Sequence, residues 1–322
     1  MAQGKILVVR GGAIGDFILT LPVLAALRAA FPSARLEVLG YPHIAQLALE
    51  GGLVDAVRSI EAGALAGFFV AGGTLDQALQ DYFSGFNIVL SFLYDPDKIF
   101  KTNVGLCSQA QFLSGPHRPD ETLSIHAAST FLKPLERLAV FGADPVPRLR
   151  LKSPVSAVLH SGRPQPRRTV ALHPGSGSER KNWPEQNWSL LMEELHRLGD
   201  LHILLVGGEA EGSRLERLAA RFPTGDLEIA RSLPLTELAR RLSSCAVFVG
   251  HDSGISHLAA ALGIPTVVLW GATKEAIWRP PGANVTVLRS LGNLAALSVE
   301  GVFAVLKASL AFSANPALEA ER

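Results

Sequence analysis

The chain has 322 residues, 48% of them hydrophobic and 18% charged, with a formal net charge of +1. That length is large for one core and suits two domains, and a charge balance this near neutrality lacks the basic footprint of a nucleic-acid-binding protein. Cys107 and Cys245 lie in apolar segments without partners at metal-ligand spacing, so they read as buried free thiols of a reducing compartment.

Elements alternate from the N-terminus. Lys5–Arg10 frames a short apolar run, the pattern of a buried strand, and Gly11–Gly15 is a glycine-rich turn. Arg10 and Asp16 interrupt the apolar start, which therefore fails as a secretory segment. Asp16–Phe31 has helical spacing, with Ile18, Leu21, Leu24 and Leu27 mostly on one side. Arg35–Gly40, Val54–Ile60 and Asn87–Phe92 read as further strands with helical material between them, and Ser124–Phe141 as an amphipathic helix. Ser161–Arg168, rich in Pro and Arg, is the expected linker after a first domain of residues 1–160.

The alternation then restarts. Thr169–His173, Leu201–Val206 and Val247–Gly250 read as strands, and another opens at Pro265. Trp183–Leu198, Glu211–Phe222 and Leu235–Leu242 read as helices. The second domain is expected over residues 169–313, with a last helix able to return to the first domain and a frayed tail at 314–322. Residues 253–273 carry no Asp, Glu, Lys or Arg, but Gly254, His257, Gly263 and Pro265 break them into turn, helix and strand, so a buried α/β core fits better than a membrane span. Repeated strand–helix units predict two α/β domains with doubly wound parallel sheets, ligands lying beyond the carboxyl ends of the strands.

Three strand-end turns carry the chemistry. Asp252-Ser253-Gly254 opens a helix, where free amides and the helix dipole favour an anion, most often phosphate. A carboxylate repels phosphate, so Asp252 makes sense as an acceptor from sugar hydroxyls or as an orienter of His257; the competing reading is a plain N-cap at Asp252 or Ser253. His257 is a stronger site candidate than His251. The second turn runs His173-Pro174-Gly175-Ser176-Gly177-Ser178-Glu179-Arg180-Lys181, a donor-rich loop ending in cations that suits a pyrophosphate, without the order of a P-loop. The third is Gly11-Gly12-Ala13-Ile14-Gly15-Asp16. It fits the nicotinamide fingerprint poorly, and Glu37 lies inside its strand rather than at its end. Asp16 reads either as a favourable helix-start charge or as a general base.

Together these residues resemble glycosyltransferase family 9, the ADP-heptose:lipopolysaccharide heptosyltransferases. The features are Arg10 with Gly15-Asp16 and the following Leu21-Pro22, His173-Pro174-Gly175-Ser176 with Lys181 and Trp183-Pro184, and Asp252-Ser253-Gly254 with His257 and Ala259-Ala260-Ala261. The resemblance implies a GT-B fold, two Rossmann-like domains facing each other across a cleft, with the acceptor on the first and the sugar nucleotide on the second. It implies inverting transfer from an ADP-sugar, with no metal and no cofactor. Asp16 would be the base, and Lys181, the Ser176-Gly177-Ser178 loop and the Ser253 and Gly254 amides would stabilise departing ADP. Glu209 would accept from ribose hydroxyls, Leu233 would pack against adenine, and Asp252 and His257 would complete the donor site. Asp95-Pro96-Asp97 is the nearest approach to a metal-binding Asp-x-Asp cluster, and its proline argues against that role.

Such acceptors are anionic, yet the first 150 residues hold nearly equal numbers of basic and acidic side chains. The acceptor contacts expected are therefore local, at Gly15, Lys98, Lys101 and Arg118. A lipid-linked glycan acceptor implies a cytoplasmic protein in peripheral contact with the inner membrane, with no nucleic acid as partner. The alternatives are a nicotinamide-dependent oxidoreductase and a non-catalytic nucleotide-sugar-binding protein.

Overall fold

The computed structural model describes residues 4–151, 167–222, 225–290 and 292–313. Its contacts divide the chain into two units, Met1–Lys152 and Ser153–Arg322. Most of the expected linker, residues 161–166, and the expected tail, residues 314–322, lie outside the described residues.

The first unit runs β1 (Lys5–Arg10), α1 (Ile14–Ile18), α2 (Leu21–Ala30), β2 (Arg35–Gly40), α3 (Pro42–Glu50), β3 (Ala56–Ser59), α4 (Gln77–Ser84), β4 (Ile88–Ser91), α5 (Ile99–Cys107), β5 (Gln111–Ser114) and α6 (Ala127–Leu132). Its sheet has the order β3-β2-β1-β4-β5, and every pairing is parallel. The chain winds outward from β1 to β3, then returns to place β4 on the other side of β1. That reversal opens a crevice at the carboxyl ends of β1 and β4. Leu7, Val9, Leu39 and Val89 of the strands pack with Phe83 and Phe100 of the covering helices. Burial on both faces explains why the strands read as continuous apolar runs rather than alternating ones.

The second unit runs β6 (Arg168–Leu172), α7 (Glu185–Arg197), β7 (Leu201–Gly207), α8 (Arg214–Ala219), β8 (Leu227–Arg231), α9 (Leu235–Ser243), β9 (Val247–His251), α10 (Gly254–Ala261), β10 (Thr266–Trp270), α11 (Glu275–Trp278), β11 (Val285–Arg289) and α12 (Val299–Ser313). The sheet is again parallel throughout, with order β11-β10-β9-β6-β7-β8. Its reversal falls between β6 and β9. The strand residues Val170, Leu172, Val249 and Leu269 pack with Trp188 and Leu191 of α7 and with Val302 and Leu306 of α12. Each such side chain, fully buried, contributes about 1.5–3 kcal/mol. Within this unit α12 packs on α7 and β9.

Several expected elements differ. The helix expected over Asp16–Phe31 is two, because Pro22 has no N–H for the first helix to use and instead starts α2. The Thr20 hydroxyl donates to Asp16 O at 2.8 Å, satisfying a carbonyl at the break. The helix expected over Ser124–Phe141 shrinks to α6 and a 3-10 turn, Lys133–Leu138, that ends on Ala139 in the left-handed region. Pro134 is the reason, since it cannot continue the i to i−4 ladder. The helix expected from Glu211 starts only at Arg214, because Glu211 turns inward and accepts from Gly208 N–H. Strands β5, β8 and β11 are not among those expected from the sequence; each is an edge strand of mixed composition. Cys245 is buried as expected, with its thiol pushed up to about 12 by burial, whereas Cys107 is only half-buried.

Candidate functional site

In the second unit the pairing of β6 with β9 sets Leu172 opposite Val249, and the His173 N–H donates to Val249 O at 2.9 Å. The two strands therefore end together. The loop from His173 and the turn at Asp252 leave side by side, although far apart in sequence. Lys181 Nζ lies 2.6 Å from Asp252 Oδ2, with the carboxylate mostly buried and the ammonium two-fifths exposed. A cation and a carboxylate thus stand at the mouth of α10, whose first amides have no intrahelical partner.

The N-cap question resolves in favour of Ser253, whose hydroxyl accepts from Ser256 N–H. Asp252 is left to Lys181. Ser253, Gly254 and Asp252 are partly exposed, while His257 is buried at 6% exposure. In the loop, Ser176 Oγ lies 2.7 Å from Asn182 Oδ1, and Gly177 and Ser178 are exposed. Glu209 is exposed in a 3-10 turn after β7. Leu233 is half-buried after β8, where Ser232 N–H donates to Gly207 O at 2.9 Å. Apart from His257, which is buried within α10, the donor-site residues expected from the sequence sit at the carboxyl ends of the adjacent strands β9, β6, β7 and β8.

Three residues hold this edge: His251, which the sequence ranks below His257, and Arg214 and Glu211, which it assigns only to a helix. His251, the last residue of β9, accepts from Trp183 N–H through Nε2 at 2.8 Å and donates from Nδ1 to Gly175 O at 3.2 Å. Arg214 donates to Pro174 O at 3.3 Å and makes a two-pronged contact with Glu179 at 2.8 and 2.9 Å. Glu211 is buried against Gly175; a Cβ on that glycine would come within 1.8 Å of Glu211 Oε1, so only glycine fits. Their signal in the sequence was a histidine beside Asp252 and an acid and a base in a helical stretch, none of it distinctive without the loop to receive them.

Burial pushes His173 down to about 4 and His251 down to about 3, so both rings are neutral in the folded chain near pH 7. The consequence for stability has a definite sign. Above pH ~6.5 the rings are neutral folded or unfolded. Below it the unfolded chain takes up protons that the folded chain refuses until about pH 4 for His173 and about pH 3 for His251. Unfolding free energy should therefore fall by about 1.4 kcal/mol per pH unit for each ring as pH drops below ~6.5. Denaturant melts between pH 7 and 5 check this: removing both rings, as His173→Gln with His251→Gln, should flatten the slope.

In the first unit Asp16 belongs to the first turn of α1, just beyond the carboxyl end of β1. Its Oδ2 accepts from Ala13 N–H at 3.2 Å, and its Oδ1 lies 3.7 Å from Arg10 Nη2. Gly12 has φ +100 and a Cβ there would meet Asp16 Oδ2 at 3.0 Å, so the turn is shaped around the carboxylate. Arg10 is buried, which lowers it to about 10 against the opposing pull of Asp16, and it remains a cation at neutral pH. Its guanidinium lies 4.5 Å from the Phe131 ring centroid and donates to His117 O at 3.0 Å. His117 lies tilted against Tyr94, with ring centroids 4.7 Å apart, joining the loops that carry Arg118 and Lys98 to the turn that carries Gly15 and Asp16. Lys98, Lys101 and Arg118 are all exposed. Asp95 caps α5, accepting from Phe100 and Lys101 N–H at 3.2 and 3.0 Å.

This turn disfavours the oxidoreductase alternative. The amide of Ala13, which a dinucleotide pyrophosphate would use, is already taken by a negative side chain. Glu37, the nearest candidate for a ribose contact, is held by Arg35 at 2.6 Å and Tyr82 at 3.1 Å. Among the described residues no cluster of three or more His, Cys, Asp and Glu is arranged to hold a metal, and no helix is long and apolar enough to cross a membrane.

Two doubly wound parallel sheets, each with a polar turn at its reversal, define an α/β protein of the GT-B class. Residues 116–301, more than half of the chain, match glycosyltransferase family 9 (heptosyltransferase), and the chain belongs to that family. It is 35% identical over 136 residues to lipopolysaccharide heptosyltransferase 1 of Salmonella typhimurium, a match covering 41% of this chain and 42% of that protein. The match thus spans about two-fifths of that relative's length. Lipopolysaccharide heptosyltransferase 3 of Escherichia coli is 23% identical over 297 residues, 84% of each chain. In fold the chain is similar to a family 9 glycosyl transferase from Veillonella parvula, with TM-score 0.79, 18% identity and 96% and 97% of the two chains covered. It is also similar to the ADP-heptose LPS heptosyltransferase II of E. coli, with TM-score 0.77, 18% identity and 96% and 99% covered.

Proposed function

We propose that the chain is an inverting, metal-independent glycosyltransferase that moves a heptose, or a related sugar, from an ADP-sugar to a lipopolysaccharide core or related glycan acceptor. The observation that carries the reading is the Lys181–Asp252 pair at the mouth of α10, at the reversal of the second sheet. An ammonium and free amides suit a diphosphate, and a carboxylate beside them suits sugar hydroxyls. Family membership supports the same class of reaction.

In this reading Asp16 takes the acceptor hydroxyl proton as the oxygen bonds to the anomeric carbon. The bond from that carbon to the β-phosphate oxygen breaks, and its electron pair leaves with ADP. Lys181 and the Ser253 and Gly254 amides stabilise the charge that develops there. Ser176, Gly177 and Ser178 line the diphosphate side, Glu209 accepts from ribose, Leu233 packs on adenine, and His257 supports the turn from within. Lys98, Lys101, Arg118 and the Gly15 turn meet the acceptor. The reading puts the protein in the cytoplasm, in peripheral contact with the inner membrane through a lipid-linked acceptor.

The test is a donor screen by mass spectrometry, pairing ADP-heptose and UDP- and GDP-sugars with truncated lipopolysaccharide, with and without EDTA. Transfer from ADP-heptose that survives EDTA is expected. Transfer from another nucleotide alone would overturn the donor assignment, and activity lost to EDTA and restored by Mg²⁺ would overturn the metal-free mechanism. Binding of ADP-heptose without turnover would favour the non-catalytic alternative.

Asp252→Ala separates the pair's two jobs. ADP-sugar affinity should fall by roughly 1.5–3 kcal/mol, the worth of a hydrogen bond to a charged group. Affinity for ADP alone should hold or rise, because Lys181 loses a competing anion. Calorimetry with both ligands checks it; equal losses for the two would remove the sugar-hydroxyl role.

A further inference from the structure

Lys181 sits in a loop with little regular structure of its own, a three-residue 3-10 turn at Glu179–Lys181. The chain leaves the sheet after Leu172 and enters α7 only at Glu185. Between those points, one side chain takes two backbone groups of the loop. The Gly175 carbonyl accepts from His251 Nδ1 at 3.2 Å, and the Trp183 N–H donates to His251 Nε2 at 2.8 Å. These two groups bracket Ser176–Asn182, the stretch that carries Lys181.

His251 is itself firmly held. It pairs in register with Leu269 of β10, is fully buried, and its carbonyl accepts the Ser256 hydroxyl. Its ring stands edge-on to Trp188, with centroids 5.4 Å apart. The next residue is Asp252, the partner of Lys181. One residue is thus covalently joined to one member of the pair and hydrogen-bonded to both ends of the loop that holds the other.

The chemistry admits one form of the ring. A peptide N–H can only donate and a peptide carbonyl can only accept, so Nε2 must carry the lone pair and Nδ1 the proton. An imidazolium would set one N–H against another at Trp183. Burial favours the neutral form that the clamp needs.

We propose that His251 is the positioning residue of the donor site: its neutral ring clamps both ends of Ser176–Asn182 to the root of Asp252 and so holds Lys181 where a diphosphate binds. The identity of the ligand rests on the nucleotide-sugar reading; the clamp does not.

Three variants and two measurements test it. His251→Leu removes both bonds and keeps an apolar side chain in the core. His251→Gln carries an oxygen toward the Nε2 position and restores an acceptor for Trp183, while His251→Asn carries an amide toward Nδ1 and restores a donor for Gly175. Hydrogen exchange of the Trp183 N–H, without ligand, reads the clamp directly, and it should speed up by about tenfold or more in His251→Leu. Calorimetry with ADP reads the positioning: the Kd should rise on the order of tenfold in His251→Leu. His251→Gln should recover more of the affinity than His251→Asn, because Trp183 is nearer in sequence to Lys181.

In a Lys181→Ala background the His251→Leu effect on ADP affinity should shrink to less than about twofold, since no ammonium remains to be misplaced. A merely structural histidine would lower Tm and cost the same factor in both backgrounds, and that result would overturn the proposal. So would folded His251→Leu protein with wild-type exchange and wild-type ADP affinity. Should His251→Leu fail to fold, equal wild-type affinity in the Gln and Asn variants would overturn it. Wild-type protein that binds no ADP would sink the nucleotide-sugar reading instead, and Trp183 exchange would still decide the clamp.

Discussion

Asp16→Asn is expected to lower turnover by about 10²–10⁴-fold, the usual cost of losing a general base. The substitution is close to isosteric. The asparagine oxygen can still accept from Ala13 N–H, which Asp16 Oδ2 now takes at 3.2 Å, so the turn over Gly12 should keep its shape. What disappears is the proton acceptor and the partial ion pair with Arg10, 3.7 Å away. Arg10 is almost wholly buried, and leaving its charge less compensated will lower Tm. Turnover must therefore be compared on folded protein at a temperature well below both melts. ADP-sugar affinity should stay within a few-fold, because the residues assigned to the nucleotide belong to the second unit. Near-wild-type turnover of the folded variant would remove Asp16 as the base and leave it as a helix-start charge.

Lys181→Ala is expected to reduce turnover by about 10²–10³-fold, the scale measured when one preorganised donor to a developing oxyanion is lost. Two effects add. The departing β-phosphate loses its cation, and the Asp252 carboxylate, only 12% exposed, is left facing an anion with nothing to neutralise it. ADP affinity should fall as well, and more than the loss of a surface lysine would explain. The second effect has its own signature: Asp252→Asn in the Lys181→Ala background should recover part of the ADP affinity while leaving turnover low. Steady-state kinetics with calorimetry on the single and double variants separates the two. Unchanged affinity and rate in Lys181→Ala would mean that Ser176–Lys181 is ordinary surface.

The strands at the centre of each sheet were legible because burial on both faces makes them continuous apolar runs, as in Ile6–Val9 and Val247–Val249. Edge strands face solvent on one side and carry mixed residues, so Gln111–Ser114 and Leu227–Arg231 offered no such run. Helix limits failed where apolar spacing continued across a proline, at Pro22 and Pro134, because periodicity records which face is buried and not whether each N–H has a carbonyl to reach. The turns at Gly12, Gly175 and Asp252 stood out since glycine and acid at a strand end are local signals.

Composition and periodicity were enough to determine the α/β class and the repeated strand–helix units, and the residues of those three turns carried the resemblance to glycosyltransferase family 9, since each depends on residues near one another in the chain. Only the tertiary structure decided which turns meet. The reversal of strand order between β6 and β9 brings Lys181 to Asp252 and makes His251, unremarkable in sequence, the acceptor of one loop amide and the donor to one loop carbonyl. The turn after β7 also sends Glu211 inward under Gly175 and leaves Glu209 in solvent. Such choices follow from which buried polar groups find partners, and a partner some 70 residues away is fixed by strand order rather than by local pattern.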